Sequence, residues 1–310
     1  MRIVRDIAAP GAAAGASCAI GNFDGVHLGH QAVLDAARTD APLAVMTFEP
    51  HPREHFAALR GEAPEPFRLM SPAARASRLA KLGVDLLYEL PFERVAPLTA
   101  EAFGAEILAP LELSRVVVGA DFRFGKGRAG DGETLRDLGR THGFETVLAP
   151  LIEVQGLDIS STRIRQALSE GRPEEAARML GHWHRIEGPV LHGEKRGRSL
   201  GFPTANMSIE GLHPPRFGVY AVTVDVLDGP HAGTHAGAAS LGVRPQYGGG
   251  APNVETFLLD FAGDLYGARL SVGLVRYIRP EATFPSEAAF LERMRADVAE
   301  AREALGALAA

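Results

Sequence analysis

The stretch Ile20-Gly21-Asn22-Phe23-Asp24-Gly25-Val26-His27-Leu28-Gly29-His30 ends an apolar run and opens a helical one. The run before it, SCAIGN (17–22), reads as a buried strand, and residues 28–39 carry helical spacing. A strand that passes into a helix offers free backbone N–H groups and the positive end of the helix dipole, which together suit a phosphate. His27 and His30 stand at i and i+3, so both can face that phosphate from the first turn. Gly29 leaves room for close backbone approach and Gly25 supports the turn. The chemistry favoured is charge stabilisation on a transferring phosphate rather than attack by histidine. Surface histidines or a transition-metal pair would use the same residues.

Outward from this stretch the pattern repeats. LAVMTF (43–48), VDLLYEL (84–90), RVVVGA (115–120) and ETVLAP (145–150) read as further buried strands, with helical spacing over 71–82, 100–110 and 131–142. Ser71-Pro72 and Thr99 are suitable helix starts. Alternation of this kind implies an α/β fold with a parallel sheet covered on both faces, whose ligands bind beyond the carboxyl ends of the strands. Two short helices, 162–170 and 173–181, close this half. From His184 onward HRIEGPVLH, FGVYAVTVDVL, HAGAASLGV, NVETFLLDF and ARLSVGLVRYI are separated by Gly/Pro-rich turns, as in antiparallel strands, and a last helix is expected near 286–306. The expected organisation is therefore an α/β domain over 1–182 and a small antiparallel β-barrel with a terminal helix over 183–310.

Composition agrees with two ordinary domains in 310 residues, 46% of them hydrophobic. Lys and Arg number 32 against 38 Asp and Glu, a net charge of −6, which disfavours a sequence-independent nucleic-acid binder. The single cysteine, Cys18, excludes an intrachain disulfide framework and a CxxC site. No run approaches the ~20 apolar residues of a membrane span, and Asp6 and Pro10 break the faint resemblance of the N-terminal segment to a signal peptide. A cytoplasmic protein is expected, with no membrane, nucleic-acid or obligate protein partner. Without export, the triplet Asn206-Met207-Ser208 is an accidental match to a glycosylation site.

Two glycine-rich runs need separate readings. Gly125-Lys126-Gly127-Arg128-Ala129-Gly130 satisfies GxGxxG, yet Asp121–Phe124 separate it from the preceding strand and Glu145 begins the next strand instead of ending it. A dinucleotide fingerprint requires the opposite of both. The run from His192 to Asn206 is glycine-rich, then basic, then polar. Such a loop can wrap phosphates, with Lys195, Arg196 and Arg198 offsetting their charge. Thr204 and Asn206 alternate with Ala205 and so point the same way, and their oxygens suit magnesium. Glu255 interrupts a mostly apolar strand, where a carboxylate is either solvent-facing or needs a partner or a task.

GNFDGVHLGH resembles the HxGH nucleotidyltransferase signature in the form found in bacterial bifunctional riboflavin kinase/FAD synthetases, and FEPHP (48–52), VVGADFRFGKGRAGD (117–131) and ISSTRIRQAL (159–168) follow in order. GRSLGFPTAN likewise resembles the riboflavin kinase signature, with FGVY (217–220), SLGVRP (240–245), VETFLLDF (254–261) and DLYG (264–267) behind it. The resemblance implies a Rossmann-like HxGH nucleotidyltransferase domain and a kinase barrel. The expected activities are phosphorylation of riboflavin to FMN by ATP, and transfer of AMP from ATP to FMN, giving FAD and pyrophosphate. It further implies that His27 and His30 hold the ATP phosphates of the second reaction and that Gly21, Asn22, Phe23, Asp24 and Gly25 line the adjacent loop. Ser161, Thr162 and Arg165 would close on the triphosphate. Asp121, Phe122, Phe124 and Tyr266 are implied as flavin contacts. In the kinase, Glu255 would be the general base, Thr204 and Asn206 the Mg²⁺ ligands, and Gly193, Lys195, Gly197, Arg198 and Gly201 the ATP loop. Ser240, Gln246 and Glu194 depart from residues common in the family and bear on flavin and loop contacts. A kinase whose HxGH domain is inactive or uses another acceptor, or a flavin-binding regulator, is the alternative.

Overall fold

The computed structural model describes residues 1–6, 11–63, 65–154, 157–191, 201–243 and 252–309. By contacts the chain divides into two compact units, Met1–Glu65 with Pro72–Ser160, and Pro66–Ser71 with Ser161–Ala310.

The first unit is built on strands β1 (Arg2–Val4), β2 (Ser17–Ile20), β3 (Leu43–Glu49), β4 (Leu86–Pro91), β5 (Arg115–Gly119) and β6 (Glu145–Ala149). All are parallel, in the order β1-β4-β3-β2-β5-β6. Side chains alternate across the sheet. Cys18, Ile20, Met46, Phe48, Tyr88, Leu90, Val116 and Val118 join one core with Phe103, Leu135 and Leu138, while Val45, Leu87 and Val117 are buried on the opposite face. Both faces are thus covered, by α1 (Leu28–Ala37), α2 (Pro52–Leu59), α3 (Pro72–Lys81), the short α4 (Phe92–Val95) and α5 (Ala100–Phe103), and α6 (Gly132–His142). The sheet grows from β2 through β3 to β4 in one direction and from β2 to β5 and β6 in the other. That reversal opens a crevice beyond the carboxyl ends of β2 and β5.

The expected strands and helices fall close to their positions, β1, α2 and α4 are additional to them, and one expected helix differs. The expected helix over 100–110 is α-helical only to Phe103, then widens to a π-turn over Gly104–Leu108 and tightens to a 3-10 turn over Ala109–Leu111. Pro110 has no N–H to give, so the regular ladder cannot continue through it, and the Ala109 N–H reaches back five residues to Gly104 O.

The second unit contains α7 (Ser161–Ser169), α8 (Pro173–Leu180) and six antiparallel strands, β9 (His184–Pro189), β10 (Ala205–Ser208), β11 (Gly218–Val226), β12 (Gly233–Val243), β13 (Pro252–Leu258) and β14 (Arg269–Arg279). (The two-residue strands β7, Glu153–Val154, and β8, Leu157–Asp158, form a separate hairpin.) The order is β10-β13-β12-β11-β14-β9, and a bridge from Leu191 to Asn206 brings the two edges together as a nearly closed barrel. Its interior is aliphatic: Ile186, Val222, Val224, Leu241, Val254, Val272 and Leu274 are almost fully buried, each contributing about 1.5–3 kcal/mol relative to exposure.

The terminal helix α9 (Glu287–Ala309) lies on the outside of this barrel. Ala301 and Ala304 meet Ala221 and Ala238, small residues that let helix and sheet approach closely. Asp297, buried in the middle of α9, accepts from Arg279 Nη2 at 2.6 Å and Arg293 Nε at 2.8 Å. The Arg279 bond ties the helix to β14, whereas the Arg293 bond lies within α9, one turn away.

His184, at the start of β9, is 2% exposed and its Nε2 has no partner in the described structure. Burial, reinforced by the nearby His182 and His213, pushes its pKa down to about 3. The unfolded chain binds this proton near pH 6.5, whereas the folded chain refuses it down to about 3. Stability therefore rises with pH across that window and is lost on acidification, by up to about 1.4 kcal/mol per pH unit. Urea unfolding of the wild type between pH 6 and pH 4 should show this slope, and His184→Gln should flatten it by up to one proton. Equal slopes in the two proteins would mean that His184 protonates in the folded state.

Candidate active sites

The first candidate site lies at the crevice between β2 and β5. His27 is the N-cap of α1, and its Nδ1 accepts the His30 N–H at 3.2 Å. The two imidazoles stack, with centroids 3.6 Å apart and planes at 16°. Gly29 permits this: a Cβ there would stand 3.2 Å from the His27 ring. Phe23 packs against His30 at 5.1 Å between centroids. His30 Nδ1 is buried and meets no hydrogen-bond partner in the described structure. Burial first, and His27 second, hold the His30 imidazole well below the usual histidine range. The free site therefore presents a neutral imidazole, able to gain a proton when negative charge arrives.

Beside this loop opens a cavity of about 740 Å³. Gly21 and Asn22 reach it from the end of β2, and Asp121, Phe122 and Phe124 from the loop after β5. Phe122 and Phe124 stack at 5.6 Å, and Phe48, Phe56 and Phe92 add further aromatic wall. Arg53, Arg60, Arg123 and Arg128 also line it. A flat aromatic ligand that carries an anion suits such a chamber. Sequence reasoning missed the contribution of α2, whose N-cap His51 and residue Glu54 form a capping box, and which supplies Arg53 and Phe56. The combination His51-Pro52-x-Glu54 was a legible helix start. The GxGxxG run is a loop against α5: Gly125 has φ 71°, and a Cβ there would stand 2.8 Å from Ala100 N.

The second candidate site lies between the outer face of the barrel and α9, a cavity of about 500 Å³. Register decides its chemistry. Glu255 pairs with Asn206 across β10–β13 and with Ser240 across β12–β13, so these three stand in one row. Val254 and Leu258 point into the barrel core, whereas Glu255 and Phe257 line the cavity with Thr204 and Ser240. Asn253, two residues before Glu255, places its Nδ2 3.5 Å from both Asn206 Oδ1 and Glu255 Oε1. Phe290, Met294 and Val298 form one stripe of α9 on the far wall. Phe202 meets Phe257 edge-on at 5.3 Å. The aromatic and aliphatic wall of the chamber thus meets the Glu255 carboxylate with Thr204 and Ser240 beside it, while Arg279, Glu287 and Asp297 also line the cavity.

Residues 10–163 match the family model described as FAD synthetase, and residues 180–305 match the one described as riboflavin kinase. The bifunctional riboflavin kinase/FMN adenylyltransferase of Pseudomonas fluorescens is 43% identical over 298 residues, covering 93% of this chain and 92% of that one. The proteins of the same name from Escherichia coli K12 and Bacillus subtilis 168 are 39% and 35% identical, over 93% and 91% of this chain and 92% and 90% of theirs. The chain belongs to the bifunctional riboflavin kinase/FMN adenylyltransferase family. A crystal structure from Streptococcus pneumoniae, named a macrolide-efflux protein, superposes with a TM-score of 0.82 at 31% identity, covering 97% of this chain and 98% of that one. Among the described residues of the present chain, no helix is long and apolar enough to cross a membrane.

Within this family member, the structure brings His27, His30 and the Gly21–Gly25 loop together at the first site, with Asp121, Phe122 and Phe124 on the adjoining cavity. Ser161, Thr162 and Arg165 stand on α7 in the second unit, where Arg165 Nε donates to Phe67 O at 2.5 Å and its guanidinium lies over the Phe67 ring. Tyr266 packs against the barrel core cluster and is not among the residues lining the 500 Å³ cavity. Gly193, Lys195, Gly197 and Arg198 lie outside the described residues, as do Glu194 and Gln246, whereas Gly201 is described, with φ 81°.

In ¹⁵N-detected NMR titration, His30 of the free protein should titrate well below 6.5, and ATP should move that titration upward. A free-protein titration at 6.5 or above would show that the imidazole is not desolvated as described.

Proposed function

We propose that this chain makes FAD from riboflavin in two ATP-dependent steps, one at each site, with residues 1–182 serving adenylylation and 183–310 serving phosphorylation. What carries the reading is that each family match holds a cavity with part of the corresponding motif on its wall, Gly21 and Asn22 in the first and Thr204 and Glu255 in the second.

In the kinase step riboflavin occupies the chamber between barrel and α9, its ring system against Phe202, Phe257 and Phe290. Glu255 takes the proton of the ribityl 5′-hydroxyl as that oxygen attacks the γ-phosphorus of ATP, and ADP leaves. The loop of Gly193, Lys195, Gly197, Arg198 and Gly201 wraps the ATP phosphates. A magnesium ion fits the donors present. Asn206 Nδ2 lies 3.5 Å from Thr204 O, which turns Oδ1 to the side where Asn253 and Glu255 stand. Thr204 and Asn206 would hold the ion, which would supply neutralisation of charge on the ATP phosphates. Two neutral side-chain oxygens suit a hard cation that would arrive with an anionic substrate. Among the described residues no cluster of three His, Cys, Asp or Glu offers a competing cage.

In the adenylylation step FMN occupies the 740 Å³ cavity, its ring between aromatic walls that include Phe122 and Phe124 and its phosphate near the arginines. A phosphate oxygen of FMN attacks the α-phosphorus of ATP, and the bond to the bridging oxygen of pyrophosphate breaks. The amides at the start of α1, with His27 and His30, stabilise charge on the phosphates as it develops. Asn22, Phe23, Asp24 and Gly25 shape the loop that presents those amides.

Incubation of the full chain with riboflavin, ATP and Mg²⁺ should give FMN and then FAD by chromatography. Glu255→Gln should lower FMN formation at least 10³-fold and leave conversion of supplied FMN to FAD within twofold. His30→Asn should do the reverse, lowering AMP transfer about 10²-fold, the scale of one lost charge-stabilising group. A parallel fall of both activities in either folded variant would refute the assignment of the steps to separate sites.

A further inference from the structure

A buried cation supports the phosphate loop from below. From the first turn of α3, Arg75 Nη2 meets Glu49 at 2.7 Å at the end of β3 and Glu89 at 3.1 Å in β4, and its Nη1 lies 3.4 Å from Asn22 O. Arg75 is 2% exposed and Glu89 6%. Burying such charges carries a desolvation cost that their attraction only offsets, so a cluster of this kind is poor evidence of a stabilising role. Its geometry indicates another one. Asn22 O also accepts from Thr47 Oγ1 at 3.3 Å. Four residues after Asn22 the loop is held a second time: Gln31 Nε2 donates to Val26 O at 2.9 Å.

Between these tethers the backbone is unusual. Phe23 has φ 53° and Val26 φ 44°, with Gly25 at 86°. The left-handed region is disfavoured for side-chain-bearing residues, and most for a β-branched one. Phe23 follows directly on the tethered Asn22 carbonyl, and Val26 bears the other tethered carbonyl. Strained conformations persist where the surroundings over-determine them. Here the surroundings are Arg75, Thr47 and Gln31, each contributing a donor that a relaxed loop would leave unmet.

We propose that Arg75 and Gln31 are positioning residues for AMP transfer, holding the two ends of the Asn22–Val26 loop so that its amides and His27 meet the ATP phosphates. This rests on the reading of the first site as the adenylylation site. Gln31→Met keeps length and packing but removes the donor. Arg75→Lys keeps a cation between Glu49 and Glu89, yet an ammonium lacks the planar fork that also reaches Asn22 O.

Each variant should lower kcat for FMN adenylylation about tenfold, the rate equivalent of about 1.4 kcal/mol, and raise KM for ATP several-fold. KM for FMN should stay within twofold and riboflavin kinase activity should be unchanged. Loss of folded enzyme would lower kcat with both KM values unmoved. That outcome, or wild-type kinetics in the two variants, overturns the proposal. Absence of FMN adenylylation in the wild-type chain would instead overturn the reading of the site.

Discussion

The first unit depends on one constraint of chain direction. β2 lies between β3 and β5, and the connections that follow it lead to opposite sides of the sheet. Helices crossing on the two faces therefore leave the carboxyl ends of β2 and β5 uncovered. The loop Gly21–Val26 and the loop holding Asp121 and Phe122 emerge together at that gap, and a cavity between them follows from topology before any side chain is chosen. Sequence then sets what the gap can hold. α1 begins directly at the end of one loop, so unsatisfied amides face the crevice. Phenylalanines and arginines from α2, α4 and the loop after β5 furnish a surface for an aromatic anion.

The barrel reaches its site by a different rule. In antiparallel strands each residue's side is set by parity, and its neighbours by register. Glu255 shares parity with Phe257 and lies opposite both Asn206 and Ser240, so acid, amide and hydroxyl are adjacent although about 50 residues separate the first and last of them in sequence. A one-residue slip of β13 would turn Glu255 into the aliphatic core and Val254 into the cavity. The aliphatic filling of the barrel therefore fixes the position of the carboxylate: Val254 and Leu258 cannot leave the interior without exposing apolar surface. α9 completes the chamber where Asp297, bonded to Arg279 of β14, and the alanine contacts of Ala301 and Ala304 hold it against the sheet.

Local pattern exposed much of this and missed what depends on distant contact. Apolar runs followed by amphipathic ones located β2 through β6 with α1, α3, α5 and α6, because strand and helix periods differ within a few residues. The strand-to-helix passage at Ile20–His30 announced the first site for the same reason, and resemblance to known signatures named the residues of the second. Arg75 was illegible: in an amphipathic helix an arginine reads as solvent-facing, and its partners Glu49 and Glu89 sit 26 and 14 residues away. Asp297 was hidden likewise among the charges of α9. The break in the helix after Phe103 followed from Pro110, whose missing N–H was readable but whose π-turn solution depends on the packing of Gly104 against Leu138.

The contrast between the two sites follows from their proposed nucleophiles. The ribityl hydroxyl of riboflavin carries a proton that must leave as the oxygen attacks, and a carboxylate at the end of an apolar chamber can accept it. The phosphate of FMN is already an anion and needs no base. What its attack requires is relief of repulsion between two highly charged phosphates, a role the proposed reading gives to imidazoles, helix amides and arginines. A permanently charged pair at positions 27 and 30 would attract ATP and pyrophosphate alike. In the proposed reading a His30 held neutral by burial and by the neighbouring His27 takes up charge as the phosphates bind and gives it up as pyrophosphate departs. The stacked, desolvated geometry of the pair therefore bears on release of the product as much as on binding of the substrate.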